Sequence, residues 1–142
     1  MSSAQKMSGT WIPTNMDCWS WSNQSVDANT CKFFEDAKNR CSLDLQNYGS
    51  QIQGCFHLST FDGNLHANPL NKIEHQNCMR GYAMTTSKSS WTTCNVSMSL
   101  KDADTVLKIS WHFIGGIYSD QTHITYWSRT RVRNRRLMCL IS

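Results

Sequence analysis

The chain has 142 residues, long enough to bury a real core as a single domain over 1–142, and only 17% of them are charged. Ser, Thr, Asn and Gln are abundant, which excludes a coiled coil and charge-driven disorder, and no apolar run approaches the roughly eighteen residues of a membrane helix. The net charge is +4, yet Arg129, Arg131, Arg133, Arg135 and Arg136 supply five positive charges, so the remainder sums to −1 (4 − 5). The protein is near neutral apart from one basic C-terminal strand.

The opening "MSSAQKMSGTW" carries no apolar segment of the kind a secretory signal needs, and residues 1–7 read as a disordered tail. "GTWIPTN" (Gly9 to Asn15) starts a first strand that Pro13 confines to an edge or ends early, because proline cannot donate to a ladder. "KFFEDAKNR" (Lys32 to Arg40) is the one helix expected, about two turns at most, inside a loop from Cys18 to Cys41. Next, "CSLDLQNYGSQIQGCFHLSTFDGNLH" divides into three short strands. The turns are placed at Asn47-Tyr-Gly-Ser50 and Asp62-Gly63-Asn64, since Gly and Asn tolerate positive φ.

"MRGYAMTT" (Met79 to Thr86) is a further strand. "TTCNVSMSL" alternates, with Cys94, Val96, Met98 and Leu100 on one face. "KDAD" (Lys101 to Asp104) then makes a tight turn into "TVLKISWHFIG", where Leu107, Ile109, Trp111 and Phe113 form the apolar row. Six to eight short antiparallel strands in one domain define an all-β fold, a sandwich or a small up-and-down barrel with one short helix or structured loop.

Seven cysteines are many, but none is spaced C-x-x-C, which disfavours a zinc ribbon or a thioredoxin-type site. Two readings stay open: a secreted protein with up to three disulfides and a leftover thiol, or an intracellular one whose cysteines pack as small apolar groups. The five histidines show no i, i+2 or i, i+4 pairing, so no metal is expected. Carboxylates are not paired, and no G-x-S-x-G, Walker or G-x-G-x-x-G motif is present. Binding without catalysis is the expectation.

Six tryptophans, several in strand-like runs, would give a small barrel a rigid apolar interior able to hold a flat or linear molecule. The final stretch, "ITYWSRTRVRNRRL", raises a different possibility. By alternation Arg129, Arg131 and Arg133 share a face with Trp127, whereas Tyr126, Ser128, Thr130 and Val132 share the other. If the second face lines the barrel, the arginines point outward, where they would grip phosphates, meet a neighbouring subunit or sit in water. Because other elements are neutral or slightly acidic, nucleic acid is the less favoured partner.

Four landmarks resemble the avidin and streptavidin family. "SGTW" (Ser8 to Trp11) is similar to its opening strand, and "YGSQIQGCF" (Tyr48 to Phe56) to its second hairpin. "TVLKISWHF" (Thr105 to Phe113) resembles the strand whose tryptophan, here Trp111, walls the ligand pocket. "YWSRTRV" (Tyr126 to Val132) resembles a stretch whose tryptophan, here Trp127, reaches a neighbouring subunit. A lipocalin-like calycin barrel also accommodates "GTW" near the start and an arginine near the end.

The resemblance implies a barrel, an aromatic pocket and a homo-oligomer. It does not extend to biotin, because "IPTNMDCWSW" replaces the family's early polar residues, Phe56 lacks a tyrosine hydroxyl, and Arg135 stands about where the family has a carboxylate or amide. The leading expectation is therefore an apolar or aromatic small molecule, such as a pigment, lipid-like compound or heterocycle. Phe56, Trp111 and Trp127 would line its pocket, Leu107 and Ile109 would floor it, and Tyr126 or Ser128 would supply a hydrogen bond. A secreted lectin or effector working through its surface is the alternative, followed by a single-stranded nucleic-acid binder using the arginine strand.

Overall fold

The computed structural model describes residues 2–20, 41–58, 61–69, 77–85, 93–114 and 121–129. After a short helix α1 (Ser3–Met7) come eight strands: β1 (Gly9–Ser20), β2 (Cys41–Tyr48), β3 (Gln51–Leu58), β4 (Phe61–Pro69), β5 (Cys78–Thr85), β6 (Thr93–Lys101), β7 (Val106–Phe113) and β8 (Gln121–Arg129). Each pairs antiparallel with the next, and β8 returns to β1, closing an up-and-down barrel. Closure gives every described strand a partner on both sides over at least part of its length.

The alternation in the sequence sets which side chains point inward. β7 alternates strictly, with Leu107, Ile109, Trp111 and Phe113 buried, and β6 buries Cys94, Val96, Met98 and Leu100. Two hairpins follow their turn chemistry. Gly49 takes φ +62° in the two-residue β2–β3 turn. Between β6 and β7, Asp102, Ala103 and Asp104 all adopt positive φ, and the Asp102 carbonyl accepts from both the amide and the hydroxyl of Thr105.

Several expectations are corrected. Asp62-Gly63-Asn64 is not a turn but part of β4, paired to both neighbours. Gly63 is there for space: a Cβ would strike the Phe56 ring and the Met84 carbonyl. Pro13 does not end β1. The strand continues through an irregularity between Pro13 and Asn15 on β8, while its pairing with β2 covers only Gly9 to Trp11, so proline sits where the strand has one described neighbour.

The expected tail is ordered, because Ser2 and Gln5 form a reciprocal capping box on α1, and Ala4 and Met7 are buried against the barrel. Cys41, Cys78 and Cys94 carry thiols rather than disulfides, so of seven cysteines at most two pairs can be bridged, not three. The helix expected at Lys32 to Arg40 lies outside the described residues. No described helix is long and apolar enough to cross a membrane.

Candidate functional site

At one end of the barrel α1 packs on β2 and β3. Trp11 is fully buried beneath it, and its indole Nε1 donates to the Met7 carbonyl at 2.9 Å. Arg129, at the end of β8, lies over that indole, with its guanidinium carbon 4.3 Å from the ring centroid. Its Nη1 donates to the Ser8 carbonyl at 2.9 Å and its Nη2 to the Lys6 carbonyl. Lys6 in turn reaches Asp104 at 3.5 Å and the Asn77 side chain at 3.2 Å. Strand ends, helix and turn are thus tied together at one pole.

This geometry corrects the expectation for the last strand. Trp127 is buried inside its own barrel rather than offered to a neighbouring subunit, and Arg129, although exposed, folds over the Trp11 ring instead of extending away from the barrel. Tyr126 and Ser128 occupy the outward face of β8, away from the interior they were expected to serve. The remaining basic-strand residues, Arg131, Arg133, Arg135 and Arg136, lie outside the described residues.

The other five expected pocket residues do come together inside. Phe56 meets Trp111 edge-on, centroids 5.1 Å apart, and Leu107 pairs with Trp127 across β7 and β8. Ile109 lies opposite Thr125, a hub that strand alternation does not single out. The Thr125 hydroxyl accepts from the Trp111 indole at 2.8 Å and the Trp127 indole at 2.7 Å, and donates to the Ile109 carbonyl at 3.4 Å. Both indole N–H groups are satisfied within the protein. Leu107, Ile109 and Trp127 are 0% exposed and Trp111 is 1% exposed. The volume around them is occupied by their own neighbours.

Toward the opposite pole, His123 is buried edge-on against Phe113, 5.2 Å between centroids, and Nε2 donates to Gln121 at 3.0 Å. Burial lowers its pKa to about 4, so the ring is neutral at physiological pH. Burial likewise pushes the Cys94 thiol up to about 12, which leaves it protonated and a poor nucleophile.

The outer wall is different. Across β2 to β5, Gln46, Gln53, His66 and Tyr82 are consecutive cross-strand partners. They lie in a groove of about 570 Å³ that Tyr48 and Asn64 also line. Tyr48 and Tyr82 are 55% and 49% exposed. His66 and Tyr82 stack almost parallel, at 8° and 5.8 Å, while Gln53 Nε2 bonds His66 Nε2 at 3.1 Å. The Tyr48 hydroxyl donates to Gln46 Oε1 at 3.1 Å. The side chains that form this groove come from four strands.

The closed eight-stranded antiparallel barrel is compatible with a calycin-like fold. No protein-family model matches the chain, and no curated protein matches it.

Proposed function

We propose that this chain is a non-catalytic recognition protein: a calycin-like barrel whose interior is a structural core and whose outer wall meets the ligand. The observation that carries this reading is the placement of the aromatics. Trp11, Trp111 and Trp127 are at most 1% exposed, with their N–H groups already bonded, whereas Tyr48 and Tyr82 stand about half exposed around a polar groove. Buried aromatics act through area and packing; exposed tyrosines flanked by amides are the groups that recognition surfaces use.

An apolar ligand between Phe56, Trp111 and Trp127, the avidin-like alternative, would have to displace side chains from a filled interior and would leave Thr125 to choose between ligand and indoles. That cost weighs against it. The nucleic-acid alternative loses Arg129, which is committed to Trp11 and to the Lys6 and Ser8 carbonyls. Location outside the cell is part of the proposal. It is supported by a disulfide at Cys55.

Native mass spectrometry of protein purified from its source tests the reading. Polypeptide mass alone, or in multiples of it, is expected. An apolar small molecule retained in stoichiometric amount, and lost on Trp111→Ala, would restore the interior as the site.

A further inference from the structure

We infer that the groove on the β2–β5 wall is a binding site for neutral saccharide. This rests on the outer-wall reading and adds the class of ligand. Three observations carry it. First, among the described residues no Lys, Arg, Asp or Glu lines the groove, so no permanent charge there compensates a phosphate, sulfate or carboxylate, and the site suits an uncharged partner. Second, its polar groups are side-chain amides at Gln46, Gln53 and Asn64 together with tyrosine hydroxyls. Each amide offers both donors and an acceptor, which is the complement that vicinal hydroxyls of a sugar require.

Third, the His66–Tyr82 stack and the exposed Tyr48 supply flat aromatic surfaces beside those amides. The C–H bonds of a pyranose face point weakly positive hydrogens, which the negative face of an aromatic ring attracts. The internal bonds from Gln53 to His66 and from Tyr48 to Gln46 hold the amides and rings in place before binding, reducing what a ligand must order. Gln46 to Tyr82 spans three strand spacings, about 14 Å, which is room for a short oligosaccharide.

The test is an array of neutral, sialylated and sulfated oligosaccharides, followed by calorimetric titration with the neutral oligosaccharide that binds most strongly. Neutral glycans are expected to bind. Affinity should fall at least about tenfold in Tyr82→Ala and Gln53→Ala, survive in Tyr82→Phe, and change little with salt because no ion pair is made. Both replacements are at exposed positions, and an unchanged unfolding midpoint keeps them interpretable. Preference for the sulfated or sialylated glycans would overturn the neutral assignment. Absence of glycan binding, with sedimentation showing self-association lost in Tyr82→Ala, would replace saccharide by a second copy of this chain and leave the outer-wall reading standing. A saturable effect of an apolar dye on the buried indoles, with no glycan binding, would overturn both.

Discussion

The tryptophans inside the barrel and the tyrosines on its outer wall belong to the same sheet and do opposite things. Inside, Trp111 and Trp127 share one threonine hydroxyl and have no remaining polar capacity. Outside, Tyr48 and Tyr82 keep roughly half their surface in water and sit among amides. The lesson is that aromatic load by itself says little about a ligand. What matters is whether the ring's polar tip is already satisfied and whether its face is covered.

Substitutions can break that contrast, beginning with the largest effect. Trp111→Ala should cost about 3–5 kcal/mol in chemical unfolding, the range for emptying a large aromatic site, and should leave glycan binding by the folded fraction intact. Thr125→Val keeps the shape but strips two buried indoles of their acceptor. Each orphaned donor costs about 1–3 kcal/mol, so a loss of about 2–6 kcal/mol is expected, with most of it recovered in Thr125→Ser.

Acid should act through His123. In the unfolded chain it takes up a proton near the ordinary histidine value of 6.5; in the folded protein it does so only near 4. The unfolded state therefore binds more protons within that window. Its contribution to stability is whole above 6.5 and declines as pH falls toward 4, by up to about 3 kcal/mol. His123→Gln should flatten that part of a stability–pH curve. Arg129→Ala should cost about 1–3 kcal/mol by removing the cation–π contact and the bonds to the Lys6 and Ser8 carbonyls, and should loosen the helix first in amide exchange. Tyr82→Ser should change stability by less than about 0.5 kcal/mol while abolishing recognition. That would be the sharpest separation between wall and core.

Much of the barrel was legible. The alternation in Cys94 to Leu100 and in Leu107 to Phe113 named the inward rows correctly, because period two is unambiguous when one face is wholly apolar. β8 was ambiguous for the same physical reason: Tyr126 and Trp127 put an aromatic on each face, so alternation alone cannot say which is inside. The parity of Arg129 with Trp127 looked like an outward row, yet at the end of its strand the long side chain folds back over Trp11. α1 is too short for any periodicity, although Ser2 and Gln5 carried a capping-box signal. Asp62-Gly63-Asn64 has turn composition but strand geometry, since the glycine makes room for Phe56 across the sheet. The groove was illegible because its residues lie on four strands, and only the register brings Gln46, Gln53, His66 and Tyr82 into one line.

The most direct measurement compares indole emission of the protein and of Trp111→Phe during titration with an apolar fluorescent probe. Emission that stays constant in both, with the probe remaining dark, is the result expected of a filled interior. A saturable quench in the protein that disappears in Trp111→Phe would place a ligand among the tryptophans and contradict the division between structural core and recognising wall.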